Sequence, residues 1–468
     1  MERLVIVSNR VPSLSLETSA GGLAVALKAS LEESGGLWFG WSGTITERPG
    51  PQPRLDQCGA FSLATLDLSD EEFHGYYEEF SNRTLWPVFH GRLDLLRPDR
   101  KAYQIYRKVS FRFAHALSSL LQTGDAIWIQ DYHLVPLGKE LRSLGKMAPL
   151  GFFLHVPFPQ AETFAALPYH RELLSDFCAY DLVGFQTSAC AENFREAALR
   201  YLGGSLRNDG DIAFGTHSVR VGVFPVGIDT KAFREMAGSS DVQRRTQRLR
   251  ACMHERDWIC GVDRLDYTKG LAERFRAFEM VLDETPALQE NISLIQIAAP
   301  SRESVLEYRD MRSQLESLSG RINGRLGTFD WAPIRYLNKA FNQAQLAALY
   351  RVSRIGLVTP LRDGMNLVAK EYVAAQDPED PGVLILSRFA GAAQELTNAL
   401  LVNPFDTSAV AAAIREALRM PLMDRQMRWR QMMNHLETND VHAWRREFLK
   451  ALKATSNRAR DDSSPRAA

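Results

Sequence analysis

The sequence predicts two Rossmann-like α/β units, each built on a parallel sheet. Three observations predict this. Short continuous apolar runs recur along the 468 residues. Helical patterns separate them, and apolar runs alternating with helices are how a sheet covered on both faces reads. The length also exceeds what one core normally serves.

In the first half the strand-like runs are Leu4–Val7, Ala126–Ile129, Leu150–Leu154, Leu182–Phe185 and Val219–Phe224. In the second half they are Trp258–Val262, Ile292–Ala298, Ile355–Val358, Val383–Leu386 and Leu400–Val402. Trp38-Phe-Gly-Trp-Ser-Gly43 reads as an aromatic, glycine-rich hairpin inserted early. The boundary falls after Phe224-Pro-Val-Gly-Ile228, before a charged helix near Asp241–Arg250. The domains are therefore 1–228 and 229–454, the last helix packing back on the first domain, followed by a disordered tail over 455–468. The domains are expected to face each other with the ligand in the cleft, because such sheets bind at the carboxyl ends of their strands.

Composition narrows the function. Lys+Arg and Asp+Glu are both 56, so no bulk field draws nucleic acid or an anionic membrane. No run approaches the roughly 20 apolar residues of a membrane span. The chain opens on a strand-like run rather than a basic-then-apolar leader. Five cysteines without a CxxC pair indicate unpaired thiols in a reducing cytoplasm. No HExxH, GxSxG or comparable spacing marks a metal or a serine nucleophile.

The candidate residues cluster where strands end. Arg10 follows the first strand, where a guanidinium meets a phosphate well. Gly21, Gly22 and Leu23 lie in a loop whose glycines let backbone approach a diphosphate. Trp41, Tyr77 and Trp86, in irregular aromatic-rich segments, offer rings and a phenol suited to a sugar's apolar faces and polar edges. Asp131 and His155 each close a buried strand. In Gly261-Val-Asp-Arg-Leu-Asp-Tyr-Thr-Lys-Gly270, Arg264 and Lys269 stand in a loop before a helix, placed to offset the charge of a diphosphate leaving group. Arg302 ends another strand as a second phosphate candidate. Each has a structural alternative: a surface arginine, core aromatics, an ion pair of Arg264 or Lys269 with Asp263 or Asp266, and a salt bridge for Arg302.

The richest segment is Thr359-Pro-Leu-Arg-Asp-Gly-Met-Asn-Leu-Val-Ala-Lys-Glu371. It runs from a buried strand through a loop into a helix, whose unpaired N–H groups and dipole favour an anion. Asp363 and Glu371, on either side of that junction, suit the two ends of a nucleotide sugar.

Taken in order, Leu4-Val-Ile-Val-Ser-Asn-Arg10, Gly21-Gly-Leu23, Trp38-Phe-Gly-Trp41, Trp128-Ile-Gln-Asp-Tyr-His133, Phe152-Phe-Leu-His155, Asp263-Arg-Leu-Asp-Tyr-Thr-Lys-Gly270 and the 359–371 segment closely resemble the trehalose-6-phosphate synthase family. These are retaining glycosyltransferases of family 20 with a GT-B fold, and the resemblance spans residue 4 to about residue 450. It implies transfer of glucose from UDP-glucose to glucose 6-phosphate, giving α,α-trehalose 6-phosphate and UDP, in trehalose biosynthesis and osmotic stress. Matched position by position, Arg10, Tyr77, Trp86, Asp131 and Arg302 fall on acceptor residues, with Trp41 in the same region. Gly21, Gly22 and Leu23 fall on the loop over the donor phosphates, Arg264 and Lys269 on the diphosphate cations, and Phe341 on the uracil contact. Asp363, Gly364, Met365 and Asn366 fall on the glucose-holding loop. Leu367 and Val368 fall on phosphate amides and Glu371 on the ribose ligand, with Ala369 and Lys370 inside the same run. Trp86 and His155 fall on positions tied to α-anomer selectivity. Gln130 departs from the histidine frequent in relatives, and Asn208–Thr216 matches no motif.

The resemblance also implies no metal or other cofactor, a homo-oligomer (dimer or tetramer), no nucleic-acid or membrane partner, and a separate trehalose-6-phosphate phosphatase taking the product. The expected catalytic set is Arg264, Lys269, Asp131, His155 and Asp363. The carboxylates fit hydroxyl and ribose ligands better than a nucleophile, which favours same-face substitution over double displacement. Three alternatives stand beside this reading: a related transferase using another phosphorylated acceptor, of the glucosylglycerol-phosphate synthase type; a glycoside hydrolase or phosphorylase; and a non-catalytic sugar-phosphate sensor.

Overall fold

The computed structural model describes residues 3–11, 27–28, 31–32, 34–215, 217–302 and 305–462. The chain divides into two compact units. One runs to Pro225 and is rejoined by the chain from Trp444 onward, and the other spans Val226–Ala443. The unit boundary thus falls slightly before the expected Ile228.

The first unit holds a ten-stranded sheet. Its strands are β1 (Leu4–Arg10), β2 (Gly36–Ile45), β3 (Arg54–Cys58), β4 (Phe61–Leu68), β5 (Ala126–Gln130), β6 (Leu150–Phe153), β7 (Leu182–Phe185), β8 (Ser205–Leu206), β9 (Ile212–Phe214) and β10 (His217–Val223). Their order is β3-β4-β2-β1-β5-β6-β7-β10-β9-β8. All neighbours are parallel except β3 with β4 and the β8-β9-β10 edge. Order reverses at β1: β2 and β4 lie on one side, and β5, β6, β7 and β10 follow on the other. Of the unrecognised Asn208–Thr216 segment, the described residues 208–215 form the turn between β8 and β9 and β9 itself, at the antiparallel edge, and Thr216 lies outside the described residues.

The expected hairpin at Trp38–Gly43 is instead part of an internal strand. β2 pairs in parallel with both β1 and β4. Trp38 and Phe39 are buried between layers, and a side chain at Gly40 would collide with the Ser8 carbonyl. The glycines of this segment admit a neighbouring strand rather than forming a turn.

The last helix, Val441–Asp462, continues through residues 455–462, where a tail was expected. Its Phe448 stacks on Trp128 at 4.5 Å, and Trp444 lies 4.7 Å from the same ring. Gly151 and Gly184 make room for it, since a Cβ at either would stand 2.8 Å from the Phe448 ring.

The second unit is a six-stranded, wholly parallel sheet: β11 (Asp257–Arg264), β12 (Ile292–Ala299), β13 (Ile334–Leu337), β14 (Ile355–Val358), β15 (Val383–Ser387) and β16 (Leu400–Val402). The order is β13-β12-β11-β14-β15-β16, so the direction of winding switches between β11 and β14. The helix Leu271–Glu284 shows how this sheet is covered. Gly270, at φ +65°, turns the chain into it. Leu271, Phe275, Phe278 and Leu282 then recur at helical spacing and pack on Ile259, Leu294, Ile355 and Ile385. Among the described residues no helix is long and apolar enough to cross a membrane.

Phe448 is fully buried, so Phe448→Ala should cost about 3–5 kcal/mol. Urea unfolding followed by tryptophan fluorescence, to which Trp128 and Trp444 contribute among eight tryptophans, checks this. A midpoint equal to the parent's would contradict the docking of the last helix.

Candidate active site

Parallel strands bring the strand-borne and strand-end candidate residues of each unit to one sheet edge. In the first unit Arg10 ends β1, Trp41 lies opposite it on β2, Asp131 follows β5, and His155 follows β6. Arg10 and Asp131 therefore flank the point where the strand order reverses, the place where open α/β sheets bind ligands. Gly21, Gly22 and Leu23 lie outside the described residues.

Arg10 is exposed, and its guanidinium sits 5.7 Å from the Trp41 ring. Gly43 (φ +91°) keeps that space open, since a Cβ there would lie 2.6 Å from the guanidinium. Trp41 donates to the Thr44 carbonyl at 2.9 Å and packs on Phe73 and Tyr77 at 5.5 and 6.1 Å. Tyr77 stacks on His133 at 5.7 Å, His133 lies 4.0 Å from Tyr132, and Tyr132 lies 5.9 Å from Trp86. One aromatic wall thus connects the three candidates.

Tyr77 and Trp86 are not in irregular chain, as expected, but on one continuous helix. Residues Phe73–Leu85 form a π-helix, and the Trp86 N–H donates to the Ser81 carbonyl five residues back. Nine positions make about two and a half turns of an α-helix, which would put the two rings on opposite faces. With i→i+5 bonding the same nine positions come close to two full turns, and both rings face the same wall. Asn82 on this helix accepts from the Tyr132 hydroxyl at 3.0 Å, fixing the helix to the loop after β5.

Asp131 adopts φ 70°, ψ 166°, a region costly for a residue with a side chain. Its surroundings impose it. Its N–H donates to the Phe153 carbonyl (2.8 Å), its carbonyl accepts from Leu134 (3.1 Å), and Oδ1 accepts from the His155 N–H (3.2 Å). Burial pushes the His155 imidazole down to about 3, so the ring is neutral at physiological pH. Its Nε2 then donates to Gln130 Oε1 at 2.9 Å, leaving Nδ1 as an acceptor. The Gln130 departure from the family pattern therefore sets the tautomer of His155.

In the second unit Arg264 ends β11, Arg302 follows β12, Phe341 follows β13 and Asp363 follows β14. Arg264 and Asp363 flank the winding switch. The neighbouring acids expected as rival partners make their closest side-chain bonds with other residues, while still feeling Arg264 and Lys269. Asp263 receives Arg274 at 2.7 Å. Asp266 receives Tyr308 at 3.1 Å and Arg302 at 3.5 Å. Burial alone would raise the Asp266 carboxyl, but Arg302, Arg264 and Lys269 outweigh it and hold it below its ordinary value. Arg264 itself is exposed. Arg302 (φ 51°) also donates to the Tyr308 hydroxyl at 2.5 Å, so its salt-bridge alternative is realised here.

Lys269 donates to Asp363 Oδ2 at 2.5 Å, and the Asn366 amide reaches the same oxygen at 3.0 Å. The loop between them is moulded from behind. Asp363 N–H donates to the Phe389 carbonyl (3.1 Å), Gly391 N–H to the Asp363 carbonyl (3.2 Å), and Ala392 N–H to the Met365 carbonyl (2.9 Å). Asn366, at φ 79°, caps the helix Leu367–Ala375 by accepting from Ala369 N–H at 3.3 Å. The first-turn amides of Leu367 and Val368 have no intrahelical acceptor, as at any helix start. Ala369 and Lys370 are fully buried and offer a ligand no side chain, which corrects their place in the expected donor set. Lys370 points to Glu395 and the Val226 carbonyl instead. Glu371 lies half-buried beside Tyr350, whose hydroxyl is 3.4 Å from Oε2. Burial raises its carboxyl to about 7. Phe341 lines an apolar cavity of about 450 Å³ with Trp258, Ile297 and Leu337, rimmed by Arg245, Arg248 and Arg335.

Sequence reasoning missed Arg274. It is buried and donates to Asp263, Gln296 (2.8 Å) and Thr359 (3.2 Å), tying the ends of β11 and β14 to the middle of β12. The signal was present: an arginine between Leu271 and Phe278 on the apolar stripe of a helix.

Two Rossmann-like units with strand-end cations, a capped helix start and an aromatic wall define a glycosyltransferase of the GT-B class. Residues 3–454 match Glycosyltransferase family 20, and the chain belongs to that family. The trehalose-6-phosphate synthase of Sinorhizobium fredii is 47% identical over 463 residues, covering 98% of this chain and 100% of the relative. Among solved structures, the UDP-forming α,α-trehalose-phosphate synthase of Burkholderia xenovorans in complex with glucose-6-phosphate is 46% identical. It has a TM-score of 0.93 and covers 96% of this chain and 100% of its own. The E. coli protein bound with UDP-2-fluoro glucose is 44% identical, with a TM-score of 0.92 over 96% of this chain and 99% of its own.

The Glu371 shift gives a signed pH dependence. A carboxyl raised from about 4.3 in the unfolded chain to about 7 in the folded one binds more protons when folded. The fold therefore loses stability as pH rises across that window. Glu371→Gln should gain in melting temperature on the parent from pH 5 to pH 7 and hold the gain above it. A difference that stays constant from pH 5 to pH 8 would contradict the shift.

Proposed function

We propose that this chain is an α,α-trehalose-6-phosphate synthase, transferring glucose from UDP-glucose to glucose 6-phosphate with retention and releasing UDP. The observation that carries the reading is the loop–helix junction 363–371 paired with the strand-end cations Arg264 and Lys269. In this reading Asp363 and the backbone of Gly364, Met365 and Asn366 hold the donor glucose hydroxyls. The amides of Leu367 and Val368 meet the diphosphate, ionised Glu371 accepts from the ribose hydroxyls, and the cavity beside Phe341 takes the base. The first unit serves the acceptor: Arg10 its phosphate, and Trp41, Tyr77, Trp86 and Asp131 its sugar. Arg302, in the second unit, remains a phosphate-ligand candidate on the family resemblance alone, since its guanidinium is occupied by Asp266 and Tyr308.

The chemistry follows from charge placement. As the glycosidic bond to UDP breaks, negative charge grows on the diphosphate, and Arg264 and Lys269 are already fixed to receive it. The leaving phosphate takes the proton of the acceptor's anomeric hydroxyl, and the new bond forms on the same face. No carboxylate acts as nucleophile, and Asp363, committed to Lys269 and Asn366, is a poor one. Neutral His155 acts by hydrogen bonding rather than as an acid, and with Trp86 it favours the α-anomer by shape. The same two cations are the reason we assign no metal to the reaction. We also place the enzyme in the cytoplasm, consistent with five cysteines outside any disulfide. By family likeness we expect a homo-oligomer whose product passes to a separate phosphatase.

The test is UDP release from UDP-glucose with glucose 6-phosphate, glycerol 3-phosphate or free glucose as acceptor. Glucose 6-phosphate should stimulate release and the others should not. Stimulation by glycerol 3-phosphate alone would favour the related transferase, and no stimulation at all would sink the reading. Arg264→Ala should lower kcat by about 10²–10³-fold, the scale of one lost transition-state charge contact, with a much smaller change in donor KM. Equal losses in both would assign Arg264 to binding alone.

A further inference from the structure

Lys370 is fully buried one turn inside the helix that follows the 363–366 loop. Its ammonium donates to Glu395 Oε2 at 2.6 Å and to the Val226 carbonyl at 2.8 Å. Glu395 Oε1 meets His435 Nε2 at 3.0 Å. Glu395 is also joined rigidly to the segment that moulds the loop: its N–H donates to the Ala392 carbonyl, and Ala392 and Gly391 bond Met365 and Asp363. A side chain at Gly391 would collide with the Gly364 carbonyl, so the two segments are in direct contact.

These contacts close a ring. It runs from the loop through one turn of helix to Lys370, across the ion pair to Glu395, back along 389–392, and onto the loop again. We propose that Lys370, acting through Glu395, is a positioning residue that holds the 363–366 loop in the shape that grips the donor sugar, without touching the donor. The inference rests on the proposed reading of that loop. An ion pair so nearly buried is a weak source of stability, because desolvation cancels most of its attraction, and an apolar pair of similar volume often replaces it without loss. Its directional bonds are another matter: an apolar pair would fill the space but leave Val226, His435 and the loop untied.

The experiment uses Lys370→Met/Glu395→Leu, with His435→Gln as a milder variant in case the double variant folds poorly. In that reading UDP touches the ring only through the amides of Leu367 and Val368 and is otherwise held beyond it, by Arg264, Lys269, Glu371 and the cavity beside Phe341, whereas glucose is held by the loop itself. The double variant should keep the parent's melting temperature and its UDP inhibition constant to within about twofold, while kcat/KM for UDP-glucose falls about 10- to 100-fold, the scale of a misplaced site. KM for glucose 6-phosphate should not move, and His435→Gln should shift UDP-glucose in the same direction by less. Parent-like kinetics in the double variant would overturn the proposal. So would a parallel loss of UDP and UDP-glucose binding, which marks a merely structural pair. If the parent releases no UDP from UDP-glucose, the functional reading itself fails, and that outcome is separate from both.

Discussion

Strand polarity is the constraint on which the rest depends. In each sheet every strand that carries a candidate residue runs the same way. Residues far apart in sequence, such as Arg10 and Asp131 or Arg264 and Asp363, therefore arrive at one edge. Where winding reverses, between β1 and β5 and between β11 and β14, the connections leave in opposite directions and a crevice opens at the strand ends. The chemistry is concentrated at these two places because the backbone topology leaves them uncovered.

Around the second crevice, charges are arranged in two layers. The inner layer is spent on structure: Arg274 with Asp263, Arg302 with Asp266, Lys370 with Glu395. The outer layer, Arg264 and Lys269, stands at the strand ends. A chain with no net charge can bind a diphosphate only through such local placement, and the inner pairs take up part of the nearby acidic charge, although Lys269 is itself paired with Asp363. Part of the backbone strain falls at the same edges, while, among the described residues, His254, Glu255 and Glu290 carry the rest at the strand starts. Asp131, Arg302 and Asn366 all have positive φ, each at a turn that follows a sheet strand or opens a helix. Such conformations persist only where several hydrogen bonds enforce them.

Much of this was legible in the sequence. Strands buried on both faces announce themselves as apolar runs, and β7, β14 and β16 match the expected limits residue for residue. β2 was misread because glycines between tryptophans look like turn signals, and only the close approach of β1 explains them. β13 was missed because an edge strand such as Ile-Arg-Tyr-Leu is only half apolar. The π-helix carrying Tyr77 and Trp86 has no sequence signal of its own, since its residues are read at an α-helical period that puts the two rings on opposite sides. At the site, motif order named the candidates, but motifs do not say which way a side chain points. Lys370 sits among donor residues in sequence and faces the interior in space, whereas Arg274 lies on an apolar stripe and turns out to join two strand ends to the middle of β12.

We propose that the carboxyl edge of the first sheet receives glucose 6-phosphate and the carboxyl edge of the second receives the UDP moiety. Hydrogen–deuterium exchange of the whole chain, read by mass spectrometry with each ligand in turn, tests it most directly. UDP should protect the amides of 264–270 and 363–371, and glucose 6-phosphate should protect those around Arg10, 77–86 and 131–133. Protection by either ligand at the opposite ends of the strands, or by both ligands at one sheet only, would contradict the account.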